Sequence, residues 1–149
     1  MSTTLFEVVT PEHIVLSHQV NMVSLRGGGG ELGILPRHTA LATTVKAGVI
    51  KVKLPEGEDY VAVSDGFLQV LPDRITMLVD TAEFGGAVDI ERAQQAKERA
   101  EKRLGERSDT VDTVRAEAAL ARALRRLQAA ELSTKAGNTL ERVLSGDKR

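Results

Sequence analysis

The residues whose types and spacing could do chemistry lie in the C-terminal half. Arg92, Arg99 and Arg103 stand at i, i+7 and i+11, and Arg115, Arg122 and Arg126 repeat that spacing. At about 100° per residue, each set falls within a narrow stripe of a helix. Two such stripes facing each other repel unless an anion lies between them. The planar guanidinium fork suits phosphate or carboxylate oxygens, which it binds bidentately. The same segment also fits a solvated helix face. Glu98 with Lys102, and Lys97 with Glu101, are i,i+4 pairs, and local pairing of this kind would account for most of the pattern. Asp89, just ahead of the first stripe, carries the same two readings: helix N-cap or part of an anion site.

No other stretch offers a catalytic constellation. RGGGGELG (26–33) is glycine-rich but lacks the Lys and Ser/Thr of a phosphate loop, and no helix follows it. It reads as a loop between strands. His13, His18 and His38 are far apart and lack ligand spacing, so no metal site is assigned. No His is placed near Ser64-Asp65 to suggest a triad. The sequence assigns no catalytic residue and argues against an independent nucleotide hydrolase.

The bulk composition bounds the remaining classes. The chain has 149 residues, 42% of them hydrophobic and 28% charged, as in ordinary globular domains. It has no cysteine, which excludes a disulfide framework and a thiolate zinc site and suits a reducing compartment. No stretch approaches the apolar length of a membrane helix, and MSTTLFEVV is no secretory signal. A cytosolic protein is the default. A net charge of −1 excludes broad attraction to nucleic acid. The charge is unevenly placed, with a net of +3 over residues 88–149 and −4 before them, so the basic half suits an acidic partner or an anion.

Two halves with different periods must position these residues. All four aromatic residues (Phe6, Tyr60, Phe67 and Phe84) and all four prolines precede residue 85. The first half reads as β. LFEVV, HIVLS and QVNMVSL are strand candidates, and Val49–Leu54 alternates apolar residues with Lys. PEGED (55–59) signals a turn. YVAVS and FLQVL flank Asp65-Gly66, a two-residue hairpin signature. Pro72-Asp73 marks the next turn, and RITMLVD the next strand. This pattern predicts an antiparallel sandwich or flattened barrel. Phe84-Gly85-Gly86 is read as a flexible joint.

The second half reads as a two-helix hairpin, roughly 88–104 and 109–135. Asp89 is placed at the first N-cap, with Glu91 in the first turn favoured by the helix dipole. Ile90, Ala93, Ala96 or Lys97, Ala100 and Leu104 form the expected inner face of the first helix. Val114, Leu120, Leu124 and Leu127 form that of the second, which starts at Ser108 or Asp109. Gly105 and Gly137-Asn138 are stop signals, and a short helical turn is placed at 139–144. The predicted class is α+β, with a sandwich (1–86), a helical hairpin (87–136) and a C-terminal extension (137–149). The hairpin is rich in Ala, which buries little apolar area, so its interface is thin and suited to alternative dockings.

These pieces resemble one family, the ε subunits of bacterial F-type ATP synthase. TPEHIVLSHQVNMVSL, GELGILPRH (30–38), YVAVSDGFLQV (60–70) and the DRIT strand carry the resemblance in the first half. VDIERA, KERAEKRL and RAEAALARALRRL (115–127) carry it in the second. The resemblance covers about residues 5–132. It implies a non-catalytic subunit of the central stalk, peripheral on the cytoplasmic face of the bacterial plasma membrane. The sandwich would bind the γ subunit and stand on the membrane rotor c-ring, with the loop of Glu31, Leu32, Gly33, Ile34, Leu35, Pro36 and His38 near that ring. The helices would move between a compact hairpin and an extended arm. In the extended form Arg115, Arg122, Arg125 and Arg126 would meet an acidic region of the catalytic β (and α) subunits and restrain ATP hydrolysis. No cofactor is required.

The resemblance also adds ATP as a regulatory ligand. Some family members bind it through an I/V-D-x-x-R-A motif and further arginines. Val88-Asp89-Ile90-Glu91-Arg92-Ala93 matches that motif, and Glu83, Arg99, Arg122 and Arg126 are the other matching positions. The arginines would neutralise phosphates while Asp89 accepts a hydrogen bond from the adenine amino group or a nearby donor. The alternative reading is a stand-alone ATP sensor whose hairpin closes on nucleotide. Four features depart from the family pattern: Arg37 where Gly is usual, the four-Gly run 27–30, the uncharged joint at Phe84-Gly85-Gly86, and the tail beyond the second helix. The expectations for that tail are disorder or a contact of Leu140, Val143 and Leu144 with the catalytic head.

Overall fold

The computed structural model describes residues 2–106 and 110–145. Ten strands come first: β1 (Thr4–Val9), β2 (Ile14–Val20), β3 (Met22–Gly27), β4 (Gly30–Ile34), β5 (Leu41–Val45), β6 (Gly48–Leu54), β7 (Gly57–Val63), β8 (Gly66–Leu71), β9 (Arg74–Val79) and β10 (Ala82–Phe84). A 3-10 turn, Gly85–Ala87, leads to α1 (Ile90–Gly105), α2 (Thr110–Lys135) and α3 (Thr139–Leu144). The strands follow one hydrogen-bonded path, β10-β7-β6-β3-β5-β8-β9-β1-β2, with β4 beside β3. Between β3 and β5 the ladder narrows to one pair, Gly27 with Val45. The path divides there into two layers whose inward residues form one core. Val52 and Val61 from one layer cluster with Leu68, Ile75 and Met77 from the other. Period-2 alternation builds this core, since each strand turns every second residue inward. The predicted sandwich is therefore observed, with one parallel pair, β1 beside β9.

Several local expectations need correction. Asp65-Gly66 does not close a hairpin. β7 pairs with β6 and β10, whereas β8 pairs with β5 and β9. The Ser64-Asp65 side chains instead stitch neighbouring turns together. The Asp65 carboxylate accepts from the Ala47 N–H (2.7 Å), and the Ser64 hydroxyl accepts from the N–H groups of Asp80 and Thr81 (both 3.0 Å). Gly66 is required for closeness, because a Cβ there would run into the Leu78 carbonyl oxygen. The dipeptide reads as a hairpin because a corner between layers needs the same compact polar and Gly residues.

The PEGED turn is confined to Pro55-Glu56, and Gly57–Asp59 already belong to β7. The four-glycine run is a hairpin: Gly27 pairs with Gly30 across the turn Gly28-Gly29. Consequently Glu31, Leu32, Gly33 and Ile34 are not loop residues. They form β4, with Ile34 fully buried in the core. Only residues 35–40 form the loop, which holds exposed Leu35 at its start.

Arg37 sits in that loop with φ of 64°, a left-handed conformation closed by the His38 N–H donating to the Leu35 carbonyl (3.2 Å). Such a conformation costs a side-chain-bearing L-residue roughly 1–2 kcal/mol. Gly would remove that cost but lose more chain entropy on folding. Arg37→Gly is expected to stabilise the chain by about 0.5–1 kcal/mol. An unchanged or lower urea midpoint would contradict the strain.

The helical hairpin forms as expected, but its inner seam is alanine. Ala93 and Ala100 of α1 are buried, as expected, and so are Ala116, Ala123, Ala129 and Ala130 of α2, which were not foreseen. Ile90, Val114 and Leu124, expected on the inner face, are exposed. Small side chains let the two helices approach closely, and the larger apolar residues are left on the outside. The expected start of α2 at Ser108 or Asp109 lies outside the described residues.

Candidate functional site

Asp89 is the N-cap of α1, its carboxylate accepting from the Arg92 N–H (3.1 Å). Helix α2 lies on β7, β10 and β6, and the 3-10 turn packs beneath it. Gly85 in that turn is buried, and a Cβ there would collide with Ser133 Oγ and the Ala129 carbonyl. The Gly pair is thus no loose joint in this conformation. Its missing side chain lets the turn touch α2.

Between the hairpin and the sandwich lies a cleft of about 590 Å³. Its floor is apolar and small-residued, with Ala62, Val63 and Ala82 from the sandwich and Ala96, Ala100, Ala116, Ala119 and Ala123 from the helices. Glu83, Arg99, Arg103, Arg122, Arg125 and Arg126 supply the charge. Of the expected ATP residues, Glu83, Arg99, Arg122 and Arg126 therefore meet in one place. Asp89 and Arg92 do not line it. Arg115 is exposed and also outside it, whereas Arg125, foreseen only for a partner contact, lines it.

Charge balance in the cleft is one-sided. Arg126 grips Glu83 through Nε–Oε1 (2.8 Å) and Nη2–Oε2 (3.3 Å), fastening α2 to β10. The hydrogen bond to Glu83 raises the Arg126 pKa above its ordinary value against a desolvation cost. Among the described residues, Arg99, Arg103, Arg122 and Arg125 form no ion pair. The Arg125 pKa is lowered, first by burial and then by repulsion from Arg122, with Asp65 partly offsetting both. Neither expected local pair, Glu98–Lys102 or Lys97–Glu101, is formed. The one i,i+4 ion pair among the described residues is Lys135–Glu131.

Residues 3–85 match the family model described as ATP synthase, Delta/Epsilon chain, beta-sandwich domain. Residues 87–131 match the long alpha-helix domain of the same chain. The chain belongs to the ATP synthase delta/epsilon family. Relatives named ATP synthase epsilon chain include that of Desulforamulus reducens, 45% identical over 129 residues, and that of Moorella thermoacetica, 47% identical over 131. Each alignment covers 87% of this chain and 98% of the relative. The fold is shared with a chain of the Euglena gracilis mitochondrial ATP synthase OSCP/F1/c-ring assembly, at TM-score 0.71 and 22% identity, covering 87% of this chain and 82% of that one.

A second surface of this family member is not among the expected site residues. Ile14, Val9, Leu78, Phe67 and Thr44 are successive register partners across β2, β1, β9, β8 and β5. Ile14 is 56% exposed, Leu78 51% and Phe67 65%. The row lies on the layer that α2 does not cover. Its signal was present in the strand phases. In FLQVL, Leu68 and Val70 point inward, so Phe67 is a large apolar residue in the outward phase. Leu78 holds the same position in RITMLV.

Proposed function

We propose that this chain is a non-catalytic stalk subunit of an F-type ATP synthase, joining the catalytic head to the membrane ring. The exposed apolar row from Ile14 to Phe67 carries the reading. An uncovered apolar face of this extent, opposite a face already occupied by the chain's own hairpin, suits a permanent protein partner. That partner is the γ subunit. The loop at Leu35, Pro36 and His38 stands toward the c-ring, and the hairpin is the element that restrains ATP hydrolysis through the β (and α) subunits. Membrane association comes through the complex, at the cytoplasmic face. No helix among the described residues is long and apolar enough to cross a membrane. The test is co-purification of the full chain with γ, compared with a γ-free catalytic head. Tight binding to the γ-free head through the sandwich alone would overturn the reading.

The arginine cleft supports a second, compatible role as an ATP sensor. Four guanidinium groups that form no ion pair among the described residues, over an alanine-lined floor, suit a polyphosphate with an apolar base. Arg99 and Arg122 stand on opposite helices, so a bound phosphate chain would bridge α1 to α2 and hold the hairpin closed. Arg99→Ala and Arg122→Ala are each expected to weaken ATP binding about tenfold or more. Calorimetric titration of the full chain with ATP, with ADP as control and with and without magnesium, checks this. No heat up to millimolar ATP returns the arginines to a solvated face.

A further inference from the structure

Asp59 of β7 is a fully buried carboxylate with no cationic partner among the described residues, held by donors from two distant parts of the chain. Its Oδ1 accepts from the Tyr60 N–H (2.7 Å) and from the Ser133 hydroxyl near the end of α2, and its Oδ2 accepts from the Leu140 N–H (2.6 Å) in α3. Leu140 is the second residue of α3. Asn138, the residue before that helix, makes no side-chain cap. A strand residue of the sandwich therefore supplies the cap of a helix some eighty positions later.

The apolar contact points the same way. Leu140 has no exposed surface and belongs to the sandwich core, with Phe6, Leu16 and Val52. Of the tail residues expected to meet the catalytic head, Leu140 is instead inside the sandwich, whereas Leu144 remains exposed. A six-residue helix is too short to persist unaided, so α3 exists because the sandwich caps it and buries its Leu. The turn into α3 is built for this return. Gly137 (φ 85°) closes a Schellman end to α2, with the Asn138 N–H donating to the Ser133 carbonyl (2.8 Å) and the Gly137 N–H to that of Thr134 (3.1 Å). All of it lies beyond residue 131, where the matched helical region ends.

We infer that residues 133–140 form a clasp that fastens the hairpin to the sandwich through Asp59 and the Leu140 socket. The alanine seam and the Glu83–Arg126 pair leave the hairpin lightly held. The clasp adds a buried anchor at the far end of α2, and any excursion of the hairpin from the sandwich must withdraw Leu140 and strip Asp59 of two donors. The regulatory consequence rests on the movable-hairpin reading proposed above. The clasp itself does not.

Hydrogen exchange on the full-length chain tests it. In Leu140→Ala, exchange of α2 amides in residues 112–135 is expected to rise about tenfold or more, with β8 and β9 still protected. Unchanged α2 exchange in that folded variant overturns the clasp. If Leu140→Ala also loses β8 and β9 protection, Ser133→Ala decides, because it removes one donor without a cavity in the sandwich. A rise in α2 exchange of about threefold or more supports the clasp, and no rise overturns it. Faster α2 exchange together with unaltered ATP hydrolysis by the reconstituted synthase would uphold the clasp and remove the movable-arm reading alone.

Discussion

Replacing Asp59 with Ala lowers the unfolding free energy of the chain by about 3 kcal/mol. Few single changes on the surface approach this. The carboxylate is shared by β7, α2 and α3, and its removal strands the N–H groups of Tyr60 and Leu140 and leaves the Ser133 hydroxyl only its longer contact with the Tyr60 carbonyl (3.3 Å). Bonds to an ionised acceptor are worth more than neutral ones, and a buried donor left without a partner costs its full desolvation. The effects are coupled. Ser133→Ala alone is expected to cost about 1–2 kcal/mol, and much less once Asp59 is already Ala, so the double-mutant cycle returns a coupling of about 1 kcal/mol. Urea unfolding followed by far-ultraviolet circular dichroism measures each corner. A loss under about 1 kcal/mol for Asp59→Ala would mean that the three donors find other partners.

Phe67→Glu is expected to weaken the proposed association with γ about a hundredfold or more, while the free chain unfolds at nearly the wild-type urea concentration. The two halves of this expectation have one cause. Phe67 is mostly exposed in the free chain, so a carboxylate there remains solvated and costs little. Buried against an apolar partner, the same carboxylate would lose its water without gaining a counter-charge. Its cross-strand neighbour Leu78 should behave alike, whereas Asp73→Ala, in the turn between the two strands, should leave affinity unchanged. Wild-type affinity in Phe67→Glu would move the γ contact off this layer.

Local pattern was enough for much of the architecture. The loss of Pro and aromatic residues after position 84 marks the change from strands to helices, and Asp89 and Gly137-Asn138 delimit helices as capping physics requires, whereas Gly105 is the last residue of α1 and its C-cap is Glu106. Pairing was harder to read. Asp65-Gly66 carries hairpin chemistry, yet it joins strands whose partners lie elsewhere, because a turn's composition reports its tightness and not which strands it unites. The helix seam was misassigned for a related reason. Ala93 and Ala100 of α1 were legible as inner residues, but in α2 hydrophobic periodicity weights Leu and Val, whereas close helix approach selected Ala116 and Ala123 for burial and left Val114 and Leu124 outside.

By itself, the sequence determined the two-part α+β organisation, the helix ends and a concentration of arginines on two helices, since these follow from local propensity and period. Tertiary structure alone decided which arginines share a cleft, leaving Arg92 and Arg115 outside and bringing Arg103 and Arg125 in, because that depends on how the two helices are docked against each other and on the sandwich. It also decided that Asp59, read as part of a turn, is a buried acceptor for Ser133 and Leu140. A hydrogen bond spanning more than seventy positions leaves no local pattern. Only the packing of strand against helix brings its donor and acceptor together.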